Sequence, residues 1–263
     1  MQALTVTLVQ PNLHWHQPAA NRAMLTDLLN SALDSVGLTN LIVLPEMFTT
    51  GFTMDARAQA EPTDGPTLDW MREQAAHHQA VLTGSVLVNE DKLFYNRLLW
   101  VRPDGSYTSY DKRHLFRLAG EHEVFTAGSQ RLVEEWCGWR IMPLVCYDLR
   151  FPVWSRNDPA RPYDLLLYVA NWPQPRIEAW NMLLRARAIE NVSYVVGANR
   201  VGSDGVSQAY PGQSAILDMQ GNYLAQAGNM NTVLTRTLQA QPLQEFRQNM
   251  PFLLDADAFS YSS

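Results

Sequence analysis

Long apolar runs, clusters of basic residues and abundant cysteine are all missing from this sequence of 263 residues. The longest apolar run of its second half, residues 165–170, falls far short of the roughly 18 residues that a membrane helix requires. Lysine and arginine form no cluster and the formal net charge is −6, which disfavours a nucleic-acid backbone or an anionic membrane as the main partner. We therefore expect a small molecule as the ligand.

The shortage of cysteine favours a cytoplasmic protein with free thiols. Cys137 and Cys146 are the only cysteines in the sequence, and disulfides are rare in the cytosol. The amino terminus agrees with this location, because no basic residue precedes Arg22 and two threonines, Thr5 and Thr7, interrupt the apolar stretch that a signal peptide needs. A thiol is thus available for chemistry.

The histidines of the sequence do not predict a metal site. His14 lies close to His16, and His77 is adjacent to His78, but no Cys, Asp or Glu accompanies either pair at a known metal-ligand spacing. We predict that the protein binds no metal ion.

Apolar periodicity along the chain alternates between strands and helices, which is typical of an α/β fold. Strands are predicted near residues 3–9, 41–44, 80–88, 94–101, 106–111, 139–146, 165–170, 192–198, 213–217, 223–227 and 233–237. Helices are predicted at residues 18–36, 66–77 and 178–190. The three successive strands between residues 80 and 111 indicate an antiparallel part.

Neither a linker nor a repeat divides the chain, so residues 1–263 are predicted to form a single domain. The segment after Pro242 has weak periodicity but carries aromatic residues, among them Phe246, Phe252 and Phe259. We interpret residues 242–263 as a C-terminal arm that packs on another surface.

Three segments place a reactive side chain at the end of a predicted strand. They are residues 41–46, 110–114 and 143–148, which carry Glu46, Lys112 and Cys146. Strand ends gather ligand-binding residues in α/β sheets, so these side chains are expected to meet. A carboxylate can take the proton of a thiol, and a lysine cation can stabilise the oxyanion that forms when the sulfur attacks a carbonyl.

Each of these residues alone has a more ordinary interpretation. A cysteine at a strand end is usually a small buried apolar residue, and Glu46 or Lys112 alone is more often a solvated charge. Only their combination favours catalysis.

The sequence resembles the nitrilase superfamily of carbon-nitrogen hydrolases over nearly its whole length. The matching motifs are Gln10-Pro11, residues 44–48 with Gly51-Phe52, and residues 112–116, 146–152, 185–191 and 212–214. This resemblance implies a four-layer αββα sandwich, in which two mixed sheets pack face to face with helices outside. It also implies a homodimer.

The resemblance assigns a role to each residue of the Glu-Lys-Cys triad. Glu46 becomes the general base and later acid, Lys112 the oxyanion stabiliser and Cys146 the nucleophile. The backbone N–H of Tyr147 becomes a second oxyanion donor. No cofactor is expected, because the amide carbonyl is already electrophilic and the protein supplies the charge.

The resemblance also implies a further active-site glutamate between the lysine and the cysteine. Glu121 best matches the spacing to Phe125 and Gly128, and Glu123 is the alternative. The sequence leaves this choice open.

Within the superfamily, the chain looks most like the omega-amidase branch, which hydrolyses the terminal amide of 2-oxo dicarboxylic acid monoamides such as 2-oxoglutaramate. These substrates carry a carboxylate, so Arg150 is the first candidate to bind it and Arg176 the second. The competing interpretation of Arg150 is an ion pair with Asp148 or an interaction with a helix end. Trp172 is expected to form an apolar pocket wall, and packing in the core is its alternative interpretation.

Other functions remain open at this point. A nitrilase or an N-carbamoyl hydrolase of the same superfamily would use the same triad, and a noncatalytic binding relative would need none of it. His114, two residues from Lys112, offers a Cys–His dyad of the thiol-protease kind.

Overall fold

The computed structural model describes residues 2–257, 259 and 260, and that part of the chain forms fourteen strands and six α-helices. The strands are β1 (Leu4–Gln10), β2 (Leu41–Val43), β3 (Val81–Glu90), β4 (Leu93–Val101), β5 (Tyr107–Asp111), β6 (Glu134–Trp136), β7 (Trp139–Val145), β8 (Leu165–Val169), β9 (Tyr194–Ala198), β10 (Val201–Ser203), β11 (Ala209–Pro211), β12 (Ala215–Leu217), β13 (Tyr223–Gln226) and β14 (Thr232–Leu238). The helices are α1 (Pro18–Val36), α2 (Ala56–Gln59), α3 (Pro66–His78), α4 (Glu121–Val124), α5 (Ile177–Asn191) and α6 (Ala240–Asn249).

Most strands belong to two six-stranded mixed sheets. The first sheet has the order β14-β1-β2-β3-β4-β5 and the second the order β13-β12-β9-β8-β7-β6. In the first, β1, β2 and β3 run parallel, and in the second, β7, β8 and β9 do so. Strands β10 and β11 form a separate hairpin.

The alternation of apolar side chains along each strand separates two cores. On β1, Leu8 joins a cluster that also holds Trp100 of the first sheet and Ile141 of the second, whereas the next residue, Val9, joins the cluster beneath α1 and α3. The two sheets thus pack face to face, and α1 and α3 cover the first sheet.

Helix α5 covers the outer face of the second sheet. Gly197 of β9 allows its close approach, because a Cβ there would lie 2.6 Å from Leu184 and 2.8 Å from Trp180. The predicted four-layer αββα sandwich is confirmed.

Part of the predicted C-terminal arm is helical. Helix α6 begins before Pro242, which lies in the first turn, where a missing N–H is tolerated. Its Leu243 is buried and Phe246 packs against the main core, while Phe252 and Phe259 remain exposed. Residues 258 and 261–263 of the arm lie outside the described residues.

A membrane-spanning helix is absent from the part of the chain that the structure describes, since none of its helices is both long enough and apolar enough.

Candidate active site

Cys146 stands in the turn that directly follows β7, in the second sheet. This turn is a short 3-10 helix, Cys146–Arg150. The backbone of Cys146 has φ +44°, in the left-handed region that residues with a side chain rarely adopt. The chain therefore bends sharply at Cys146, which lines a pocket of about 550 Å³.

Glu46, Lys112 and Glu121 form a buried ion cluster beside this thiol. The Nζ of Lys112 lies 2.9 Å from Oε1 of Glu46 and 2.9 Å from both carboxylate oxygens of Glu121. All three side chains are buried. The strand ends after β2, β5 and β7 thus meet as predicted, and α4 adds a second carboxylate.

The two carboxylates keep Lys112 charged. Burial alone lowers the pKa of Lys112, but the negative charges of Glu121 and Glu46 raise it to well above its ordinary value. Burial, together with the charge of Glu46, raises the pKa of Glu121 above its ordinary value, and Lys112 opposes this shift. The site therefore holds a fixed cation next to an acid that binds its proton more tightly than usual.

Burial favours the protonated form of the Cys146 thiol. Burial, reinforced by the charge of Glu46, raises the pKa of Cys146 well above its ordinary value, although Lys112 acts in the opposite direction. A hydrogen bond to Glu46 contributes to the same shift. A nucleophilic Cys146 thus needs a base at the moment of attack, and Glu46 is placed to be that base.

The two candidate glutamates, Glu121 and Glu123, point in opposite directions. Glu121 points inward, and its Oε2 also accepts the backbone N–H of Phe116 at 2.5 Å. Glu123 points outward, with a side chain that is 75% exposed. Glu121 is therefore the residue that the structure places in the site.

Two asparagines hold Glu46, and neither was predicted from the sequence. The amide of Asn96 donates to Glu46 Oε1 at 2.8 Å and to Glu121 Oε1 at 3.3 Å. The backbone N–H of Asn171 donates to Glu46 Oε2 at 2.9 Å, and its side-chain amide donates to the Glu46 carbonyl oxygen at 2.6 Å. The signal for Asn96 is a polar residue inside the apolar strand β4.

Two arginines bring positive charge to the pocket. Arg150 and Arg176 both line it, as do Tyr147 and Trp172. The Arg150 guanidinium lies 5.0 Å from the centre of the Trp172 ring, and that of Arg176 lies 5.1 Å from the centre of the Phe116 ring. Among the described residues, no carboxylate forms an ion pair with either arginine. Their charges are therefore available to a ligand.

His114 does not line the pocket that Cys146 lines, and among the described residues no hydrogen bond joins its ring to the thiol, so this geometry gives the alternative Cys–His dyad no support. The Nδ1 of His114 lies 2.7 Å from Oδ1 of Asp148, and its ring stacks on Phe151 at 3.8 Å. Asp148 is thus engaged by His114 and is not the ion-pair partner of Arg150.

Cys137 takes no part in the site. Both cysteines are free, and Cys137 precedes the seven-residue strand β7 that Cys146 follows. At about 3.3 Å per residue, that strand alone separates them by roughly 20 Å. No group of His, Cys, Asp and Glu suited to a metal ion occurs in the described part of the chain.

Comparison with known proteins identifies the family to which this chain belongs. The sequence model described as carbon-nitrogen hydrolase matches residues 5–248. This chain therefore belongs to the carbon-nitrogen hydrolase family, and the predicted resemblance to the nitrilase superfamily is confirmed.

Two named relatives indicate which members of the family this chain resembles. The chain is 48% identical to omega-amidase YafV of Yersinia enterocolitica, over 98% of this chain and 99% of the relative. It is 33% identical to 2-oxoglutaramate amidase of Bacillus subtilis, over 82% of this chain and 84% of the relative. The predicted likeness to omega-amidases is thus confirmed.

Solved structures share the fold throughout. A CN-hydrolase superfamily protein from Xanthomonas campestris, with an arsenic adduct in its active site, superposes with a TM-score of 0.96 at 47% identity and covers 100% of both chains. Nit3 of Saccharomyces cerevisiae, from branch 10 of the nitrilase superfamily, superposes with a TM-score of 0.88 at 24% identity, over 95% of each chain.

Proposed function

We propose that this protein is a cytoplasmic amidase that hydrolyses the terminal amide of small carboxylate-bearing substrates, such as 2-oxoglutaramate, to the acid and ammonia. The observation that carries the proposal is the buried cluster in which Lys112 contacts Glu46 and Glu121 beside the thiol of Cys146. The names of the relatives, omega-amidase and 2-oxoglutaramate amidase, support the substrate class. Two free thiols support the location.

The first half of the reaction forms a thioester on Cys146. Glu46 takes the thiol proton as the sulfur attacks the amide carbon, and the carbonyl oxygen becomes an oxyanion. The ammonium of Lys112 and the backbone N–H of Tyr147 stabilise this oxyanion. Glu46 then returns its proton to the nitrogen, and ammonia leaves.

The second half releases the acid. Glu46 activates a water molecule, which attacks the thioester carbon, and the Cys146 thiol is restored with a proton. Glu121 holds Lys112 in place through both halves, because both of its oxygens contact the ammonium. Asn96 and Asn171 keep the Glu46 carboxylate at a fixed position.

A substrate panel tests this function against its alternatives. We expect ammonia release from 2-oxoglutaramate to exceed that from a simple nitrile and from an N-carbamoyl amino acid of similar size. Preference for the nitrile or the carbamoyl compound would assign the site to one of those reactions. Absence of turnover on all three would favour a noncatalytic binding relative.

Arg150 is expected to recognise the substrate carboxylate. Its guanidinium has no carboxylate partner among the described residues and lines the pocket, so Arg150→Ala removes a charge-assisted bond in the complex. The KM for acidic amides should rise about 10- to 100-fold, with little change for neutral amides. Steady-state kinetics on a matched acidic and neutral pair measure this.

The control for this variant is Arg117→Ala, since Arg117 is exposed and does not line the pocket. Equal losses on acidic and neutral amides would show that Arg150 acts on the pocket's structure. Arg176→Ala, in the same assay, tests the second candidate.

We also propose that the protein is a homodimer through α5 and the segment after Cys146. Met182 and Ile189, seven residues apart on one face of α5, are 65% and 50% exposed, and Val153 is 56% exposed. Ile189→Glu should halve the mass measured by light scattering, whereas Leu93→Glu, at an exposed apolar residue of β4, should not. A monomeric parent protein would contradict this proposal.

A further inference from the structure

A single buried carboxylate connects the two segments that carry the thiol and the lysine. Asp148 lies two residues after Cys146, and its side chain is fully buried. Its Oδ1 accepts the backbone N–H of His114 at 3.0 Å and lies 2.7 Å from the ring Nδ1 of His114. Its Oδ2 accepts the hydroxyl of Tyr110 at 2.7 Å and the backbone N–H of Val145 at 3.1 Å.

These partners surround both reactive residues in sequence. Tyr110 and His114 lie two residues before and after Lys112, and Val145 directly precedes Cys146. Lys112 follows β5, which is the edge strand of the first sheet and pairs with β4 alone. Asp148 therefore joins the edge of the first sheet to the nucleophile turn of the second.

The groups that contact Asp148 are themselves held in place. The hydroxyl of Tyr110 also accepts the indole N–H of Trp154 at 3.0 Å and the backbone N–H of Arg113 at 3.2 Å. Burial, with the charge of Asp148, raises the pKa of Tyr110 well above its ordinary value, so the hydroxyl stays a donor. The His114 ring is fixed by its stacking on Phe151.

We propose that Asp148 is a positioning residue that sets the separation between the Lys112 ammonium and the Cys146 sulfur. It does not line the pocket, so it acts on the reaction through the two segments that it joins. The importance of this separation for catalysis rests on the proposed amidase function, but the hydrogen bonds by which Asp148 joins the two segments do not. Misplacing a reacting group by about 1 Å can cost about 100-fold in rate.

The variant Asp148→Asn tests this role. Asparagine has the same shape as aspartate, but its NH₂ group would face hydrogen-bond donors at a position where a carboxylate oxygen accepts their hydrogen bonds. We expect kcat per folded molecule to fall about 100-fold, with KM within about threefold of the parent value. Alkylation of Cys146 by iodoacetamide should slow by at least about tenfold, because a displaced Lys112 stabilises the thiolate less.

A matched control separates this role from a general loss of stability. Asp164 is also buried, and it accepts bonds from the Arg140 backbone N–H at 3.0 Å and from Arg247 at 2.8 Å, at the start of β8. Asp164→Asn should lower Tm while leaving kcat and the alkylation rate of Cys146 unchanged. If both variants lose stability alike and both keep parental kcat, Asp148 is merely structural and the proposal is wrong.

If Asp148→Asn does not fold, two milder variants can be tested in its place. His114→Phe and Tyr110→Phe each remove a hydrogen bond to Asp148 and keep an aromatic ring, so each should lower kcat with KM nearly unchanged. Parental kcat and alkylation rates in both would overturn the proposal. Complete loss in His114→Phe with none in Tyr110→Phe would also overturn it, in favour of the Cys–His dyad.

The alkylation rate also keeps this inference distinct from the proposed function. If the parent protein hydrolyses none of the amides, the function fails. Slower alkylation of Cys146 in Asp148→Asn than in Asp164→Asn would still support the positioning role, and equal rates would reject it.

Discussion

Cys146→Ala is expected to abolish ammonia release, by at least about 10⁴-fold, because it removes the atom that attacks the amide. Neither Glu46 nor Lys112 can replace a nucleophile, since one is held by asparagines and the other is a charged ammonium. The fold should survive, because only one buried sulfur is lost. A stability change within about 1–2 kcal/mol is expected for so small a truncation.

The measurement is an ammonia assay alongside thermal unfolding of the same samples. Cys137→Ala is the matched control, since this thiol precedes β7, at the opposite end of the strand from Cys146. It should keep parental activity. Ammonia release that persists in folded Cys146→Ala, or disappears in Cys137→Ala, would contradict the assignment of the nucleophile.

Lys112→Met is expected to lower kcat by about 100- to 1,000-fold, the usual effect of removing one oxyanion stabiliser. Methionine fills similar space but brings no charge, so the developing oxyanion loses its cation. The chain's only other lysine, Lys92, is exposed in the turn between β3 and β4. Lys92→Met should therefore keep parental kcat, and a loss below about tenfold in Lys112→Met would contradict its role.

The same variant should change how stability depends on pH. Burial and Glu46 already raise the pKa of Glu121, and without Lys112 two buried carboxylates face each other, which raises it further. A raised pKa means that the folded state holds its proton more tightly than the unfolded state. The variant's Tm deficit should therefore be small below the unfolded pKa and should grow as the pH rises towards the folded pKa. An equal deficit at all pH values would show that the cluster is not coupled as described.

The three central residues of the site, Glu46, Lys112 and Cys146, can be predicted from the sequence because each follows a strand that its own apolar pattern identifies. The strands of Glu46 and Lys112 belong to the first sheet and that of Cys146 to the second, and the packing of the two sheets brings the three strand ends together. Glu121 is less readable, since α4 has only four residues and no periodicity to say which glutamate points inward. The contact between Glu121 and Lys112 in the folded protein shows that Glu121 is the glutamate that points inward.

Residues that act through tertiary contacts were harder to predict. Asn96 contacts Glu46 from the interior of β4, and Asp148, although it stands in the motif that begins at Cys146, bonds to Tyr110 and His114 at the edge of the other sheet, which the local sequence does not indicate. Helix α6 was not predicted because the segment after Pro242 has weak periodicity, and Pro242 itself lies in the first turn, where a proline is tolerated.

The central claim is that the amide is hydrolysed through an acyl group on Cys146. Its most direct test is to quench the parent protein in acid during its first turnovers of 2-oxoglutaramate, and to locate the adduct by peptide mass spectrometry. We predict an increase equal to the substrate minus ammonia, on the peptide that carries Cys146. An adduct on any other residue, or ammonia released throughout the time course with Cys146 unmodified, would contradict the mechanism.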